Sequence, residues 1–161
     1  MEQEVQQENK TFVSFKIAGE YFAVDVKNVV HIMEASEFTK IPQSIPFVKG
    51  LINFNGQVIP VIDTYIKFGI TDYTPVKRPM IIVLEVKSES EKLFGILVDK
   101  ADTVFEINNT QIKPLPVTNK KEKTGPVKGV IQENGRFLLL LDADKILETE
   151  EIEKIKIEKK L

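Results

Sequence analysis

The sequence predicts a mainly β protein. It consists of two small five-stranded β-barrel subdomains related by an internal repeat, with short helical turns and a C-terminal helix. Three observations lead there. Short β-branched and aromatic runs alternate with turn residues from Thr11 to Leu141. Asn55-Gly56 lies between two such runs, Leu51-Ile52 and Val58 to Ile62. An Asn-Gly pair there signals a tight hairpin, because both turn positions need positive φ. The third observation is a repeat. Laid without gaps on Gly50 to Phe68 at an offset of 79, Gly129 to Leu147 matches Gly50, Ile52, Asn55, Gly56 and Asp63 with Gly129, Ile131, Asn134, Gly135 and Asp142. Five short antiparallel strands per half bury too little as open sheets, so the expected solution is two barrels packed on each other.

The elements run in order from the N-terminus. Residues 1–10 are polar and acidic and are expected to be disordered. The first barrel is assigned to 11–69. Val13, Phe15 and Ile17 share one face of a strand, with Ser14 and Lys16 on the other. Ala18-Gly19 turn the chain into a second strand, Tyr21 to Val24. Asp25 then caps a short turn that leads into a third strand, Val29 to Met33. Pro42 and Pro46 mark a loop between Phe38 and Phe47, since proline cannot donate to a ladder. The Asn55-Gly56 hairpin closes the first half, and Asp63 caps a short helix from Thr64 to Phe68. Residues 70–79, with Pro75 and Pro79, form the linker. The second barrel spans 80–142. Met80 to Val86 reads as a buried strand, and Lys87 to Lys92 as a hairpin loop. Further strands cover Leu93 to Val98 and start at Val104. Asn108 to Ile112 makes a helical turn, and Lys113 to Pro126 a mobile lysine-bearing loop. The second hairpin then runs from Val127 to Leu141. From 143 to 161 the chain is a helix or tail in which Ile146 and Leu147 face inward.

Composition narrows the functions. There are no cysteines and one histidine, His31, which excludes disulfides and disfavours a zinc site or a triad. Metal, catalytic site and cofactor are all expected to be none. The net charge is −2 and only Arg78 and Arg136 are arginines, so no basic footprint for nucleic acid exists. No apolar run reaches the roughly 18 residues of a membrane span, and the N-terminus lacks a signal-peptide pattern. The expectation is a cytoplasmic protein with no direct membrane insertion. Asp25, Asp63, Asp99, Asp142 and Asp144 resemble paired carboxylates, but Asp63 and Asp142 hold equivalent positions after a strand and read as caps. Gly50, Gly56, Gly129 and Gly135 read as turn and bulge positions, since no phosphate-loop lysine follows them. With no active site, exposed strand edges and a groove between barrels remain as docking surfaces.

These residues resemble one family in particular. The landmarks are FVSFKIAGEYFAVDVKNVVHI, IPQSIPFVKGLIN, NGQVIPVID with KFG, LFGILVDKADTVFEI, IKPLP and GVIQENGRFLLLLDADKIL, in that order. The chain is identified as a member of the CheW family of bacterial chemotaxis coupling proteins, with one CheW-like domain over 11–149. The resemblance implies two five-stranded barrels with a shared core, with exchange of strands between them left open. It implies a non-catalytic adaptor joining the regulatory domain of the histidine kinase CheA to the cytoplasmic tip of chemoreceptors, recruited to receptor arrays at the membrane. It places a receptor-binding groove at Val29, Val30, His31, Asn53 and Asn55. Here His31 replaces the family's usual glutamate and Asn55 its usual arginine, and a hydrogen bond between the two is the expected substitute for that ion pair. The competing reading is a small-ligand or nucleic-acid-binding β-barrel module.

Overall fold

Alternation of apolar side chains makes β1 (Asn9–Ile17) a strand buried on both faces. Ala18 and Gly19, both at positive φ, turn it into β2 (Glu20–Asp25). A 3-10 turn over Val26–Asn28 comes next, then β3 (Val29–Glu34), β4 (Val48–Phe54), β5 (Gln57–Asp63) and the one-turn helix α1 (Thr64–Lys67). The second half supplies β6 (Met80–Val86), β7 (Lys92–Val98), β8 (Lys100–Asn108), the two-residue β9 (Ile112–Lys113), β10 (Val127–Glu133) and β11 (Arg136–Leu141). The computed structural model describes residues 8–40, 45–87, 91–115 and 125–147. The expected C-terminal helix beyond 147 and the tip of the mobile lysine loop lie outside these residues. Within them, Asp142 leads into a 3-10 turn, Ala143–Lys145. The expected disorder of 1–10 does not extend to Asn9 and Lys10, which pair with Asn108 and Ile107.

The strands form two sheets, one of six strands in the order β8-β1-β2-β11-β10-β9 and one of five in the order β3-β6-β7-β5-β4. The sheets do not divide where the sequence halves divide. The first two strands of each half pair with the later strands of the other half. Four pairings join the halves: β11 beside β2 and β5 beside β7 are parallel, while β8 beside β1, β3 beside β6 and every pairing within a half are antiparallel. Neither sheet closes into the barrel expected from strand number. Across the open side of the five-stranded sheet, β3 and β4 are linked through the intervening chain, among the described residues, by one bridge, Thr39 to Leu51. An offset of 79 maps Leu51 onto Val130, which pairs with Lys113 of β9. The single bridge is thus the first half's counterpart of β9.

Two core clusters result. The larger draws on both sheets and includes Phe15, Phe22, Ile59, Ile82 and Phe94. The smaller, around Phe12, Ala23, Ile107, Ile131, Leu138 and Leu140, belongs to the six-stranded sheet alone. Ser14 points toward the second cluster and is fully buried. A register shift in β8 sets Asp102 and Thr103 against it. Ser14 Oγ accepts the Thr103 N–H at 3.1 Å. Arg136 Nη2 donates to Asp102 Oδ2 at 2.9 Å while its guanidinium lies 4.0 Å from the Tyr21 ring centroid. These polar groups cover one end of the small cluster.

The repeat is exact in its irregularities. Both hairpins turn through positive-φ pairs, Asn55-Gly56 and Asn134-Gly135. Both first strands carry a bulge, at Lys49 and at Lys128, followed by a buried glycine. A Cβ on Gly50 would stand 2.8 Å from Phe38 Cβ and 2.9 Å from Thr39 O, and one on Gly129 2.9 Å from Lys113 O. These glycines let a neighbouring segment cross the bulge. Asp63 Oδ1 accepts the N–H groups of Tyr65 and Ile66 at 3.0 and 3.3 Å, and Asp142 Oδ1 that of Asp144 at 3.1 Å. Both are caps, as expected from their positions.

Two outcomes are expected for stability. Gly50→Ala should cost about 1–3 kcal/mol through overpacking, read as a lower urea midpoint at unchanged slope; an unshifted midpoint would contradict the close approach. The second outcome concerns Tyr65, whose phenol donates to Asp99. Burial, and after it the Asp99 hydrogen bond and charge, raise the phenol above its ordinary value. The fold therefore favours the protonated form. That stabilisation is complete below about pH 10 and is lost as pH rises from there toward the raised native value. Wild type should lose stability more steeply above pH ~10 than Tyr65→Phe. Parallel pH profiles of the two urea midpoints would contradict this.

Candidate functional site

Two neighbouring features of the five-stranded sheet form the candidate site. The first is the opening between its edges. Met33 at the end of β3, the segment Ser36, Glu37 and Thr39, then Leu51, Ile52 and Asn53 of β4 and Val58 of β5 line a depression of ≈ 450 Å³. A strand edge bridged at Leu51 to Thr39 meets apolar and polar side chains here in equal number. That is the chemistry of a peptide- or protein-docking surface. The second is the flank of the interface between the sheets. β8, an edge of the six-stranded sheet, contacts β6, the strand that β3 pairs with. The edges β3 and β8 therefore border the same side of that interface.

The five expected groove residues fall into two sets. Val29, Val30 and His31 lie on β3. The register shift between Val29 and His31 leaves Val30 opposite no partner, and Val30 is 44% exposed. A bulge at an edge strand aims a side chain outward, which explains the exposure of Val30. Asn53 and Asn55 lie on the β4–β5 hairpin. Asn53 Oδ1 accepts the Gly56 N–H at 3.0 Å, so its side chain braces the turn as well as lining the depression. Asn55 sits at the turn with φ 50° and is exposed.

The expected hydrogen bond between His31 and Asn55 is absent among the described residues. The two regions meet instead through Phe54, whose ring centroid is 5.7 Å from that of His31 at an interplanar angle of 37°. The physical reason is pleat direction. Phe54, the last residue of β4, faces the His31 side, while Asn55 has already entered the left-handed turn. An aromatic contact thus stands between the two strands where a polar one was expected.

Sequence reasoning also missed exposed apolar residues at the site. Val58 is 49% exposed beside the depression, and Val104 on β8 is 65% exposed. Val58 lies between exposed Gln57 and buried Ile59, and Val104 between exposed Thr103 and half-buried Phe105, so no simple alternation marks them. Which face the fold leaves open depends on pairing partners far away in the chain. Among the described residues no group of three or more His, Cys, Asp or Glu could hold a metal ion.

The chain matches the family described as "CheW-like domain" over residues 11–151. It is 36% identical over 137 residues to the chemotaxis protein CheW of Thermotoga maritima, covering 84% of this chain and 86% of that protein. It is 28% identical over 144 residues to the chemotaxis protein CheW of Rhizobium meliloti, covering 89% of this chain and 91% of that protein. Among solved structures, the scaffolding protein TtCheW from Thermoanaerobacter tengcongensis superposes with a TM-score of 0.77 at 28% identity, covering 89% of this chain and 96% of that one.

The bracing of the hairpin gives a direct expectation. Asn53→Ala should cost about 0.5–1 kcal/mol by removing the acceptor of the Gly56 N–H, and Asn53→Asp, which keeps it, should recover most of that loss. Equal urea midpoints for Asn53→Ala and wild type would show that the side chain does not hold the turn.

Proposed function

Since this chain belongs to the CheW-like domain family, we propose that it acts as a chemotaxis scaffold, a non-catalytic adaptor that couples the histidine kinase CheA to the cytoplasmic tips of chemoreceptors. The receptor tip is received in the groove along β3, by Val29, Val30 and His31, with Asn53 and Asn55 at the hairpin beside it. The kinase regulatory domain docks through contacts with one sheet. Both partners are proteins, and the adaptor is recruited to receptor arrays on the cytoplasmic side of the membrane without inserting into it. Among the described residues no helix is long and apolar enough to cross a membrane.

One observation carries the reading. The edge β3 presents an outward-bulged, exposed valine next to a ring contact, beside a depression whose lining is half apolar and half polar. Exposed apolar side chains grouped at a strand edge favour burial against another protein. The division of labour between the partners comes from the two-sheet arrangement. A partner lying between the sheets depends on their mutual orientation, whereas one on a single sheet does not.

The test is titration of the purified chain with a receptor signalling-tip fragment and, separately, with the kinase regulatory domain. Both should bind. Val30→Arg places a charge where an apolar contact is proposed, and it should weaken receptor-tip binding at least about tenfold. Kinase binding and thermal midpoint should stay near wild type. A folded protein that binds neither partner would overturn the adaptor reading; one that binds both, with Val30→Arg silent, would move the receptor contact off β3.

A further inference from the structure

The chain crosses from one sheet to the other at the end of the second strand of each half. At the first crossing, Asp25 caps its own 3-10 turn by accepting the Lys27 N–H at 3.0 Å. At the second crossing a single residue, Asp99, separates β7 from β8. This aspartate uses its carboxylate on distant parts of the chain. Oδ2 accepts the Gly19 N–H at 3.0 Å, and Oδ1 accepts the Ala18 N–H at 3.2 Å together with the Tyr65 phenol. The Asp99 N–H donates to Lys16 O at 2.8 Å.

Those partners belong to different sheets. Ala18 and Gly19 turn β1 into β2 within the six-stranded sheet, and Tyr65 lies in α1, which leaves the five-stranded sheet at β5. The Tyr65 ring stacks on Tyr73 of the 70–79 connection, with centroids 4.2 Å apart and planes 11° from parallel. The Tyr65 carbonyl accepts the Ile70 N–H at 2.8 Å. A single carboxylate thus gathers the β1–β2 turn, the second crossing and α1, and through Tyr65 the connection between the halves.

Elsewhere the sheets meet mainly through the apolar cluster they share. Asn28 Nδ2 donates to Glu85 O at 3.1 Å at the first crossing, and Lys92 Nζ to Leu147 O at 3.4 Å near the chain's last described residues. Apolar packing is non-directional and sets spacing better than angle, and packed layers can slide with little loss. Hydrogen bonds are directional and resist such sliding. We propose that the Asp99–Tyr65 hydrogen bond is a latch that fixes the angle between the two sheets and so sets how far β8 stands from β3, the edge along which the receptor tip is received. This rests on the adaptor reading above. Tyr65 and Asp99 act as positioning residues: they shape the groove while contacts within a single sheet stay as they are. Among the described residues the repeat gives the latch no counterpart: Asp25 caps its own turn, and the position matching Tyr65 is Asp144.

Tyr65→Phe removes the hydroxyl and keeps the ring and its stacking. It should weaken binding of a receptor signalling-tip fragment about 3- to 10-fold, the range seen for residues that touch neither ligand yet alter coupling. Binding of the kinase regulatory domain should change less than about twofold, since its contacts do not span the latch. Amide exchange should quicken at Ala18 and Gly19 while β6 and β7 amides keep their rates. An equal loss for both partners, or no loss for either, would overturn the latch. If Tyr65→Phe fails to fold, Asp99→Asn is read in its place with the same selective loss expected. Should wild type bind neither partner, the adaptor reading fails separately. The latch is then judged by residual dipolar couplings of the two sheets, which should fit one rigid orientation in wild type and not in Tyr65→Phe. One orientation fitting both proteins would overturn it.

Discussion

The parallel pairing of β2 with β11 and of β5 with β7 is the constraint on which the molecule depends. Each pair joins a strand of one half to a strand of the other, and each lies inside its sheet. Remove the partner half, and two opening strands lose the ladder that covers them. Phe22 opposite Leu139 and Val61 opposite Gly95 would then expose backbone and apolar surface together. The shared core is a consequence of that exchange. Phe15 and Phe22 come from one half and lie in the sheet completed by the other, so their burial requires both. The halves are alike in sequence and inseparable in structure.

Repetition also shows where the halves have been put to different uses. Asp63 and Asp142 remain equivalent caps. The bulges at Lys49 and Lys128 and the glycines after them repeat residue for residue. The aspartates at the two crossings, at the end of β2 and after β7, diverge: one closes a local turn, the other draws two remote segments, the β1–β2 turn and α1, together. The segment crossing the buried glycine diverges too, being a ladder pair in one half and a lone bridge in the other. The half with the weaker crossing is the one whose sheet opens into a depression. A missing stretch of ladder and an accessible site are therefore the same feature seen twice.

Much of this is legible in the sequence because it is local. Asn-Gly fixes a hairpin by its own φ angles, an aspartate after a strand caps the turn or helix beyond it, and Met80–Val86 declares a buried strand by its unbroken apolar run. The rest is illegible because it depends on residues far apart. Nothing near Ser14 indicates that a bulge in a strand of the other half brings Thr103 to it. Strand number suggests barrel closure, but closure needs two edges in register, and among the described residues β3 and β4 share one bridge through the chain between them. At the site, the strand bearing His31 and the hairpin bearing Asn55 do meet. The chemistry of their meeting is not the expected one, since the pleat presents Phe54 between them.

The exchange of strands has a meaning beyond this one chain. Cut at the connection between residues 70 and 79, the molecule is two similar pieces, each of which lends its first strands to the other. That is the topology of a swapped dimer with its subunits fused head to tail. A half-length unit paired with a copy of itself about a two-fold axis would make the β2–β11 and β7–β5 pairings equivalent. It would, however, carry the same edge on both sides. Fusion frees the two copies to differ, and only then can one side keep a local cap while the other ties the assembly together.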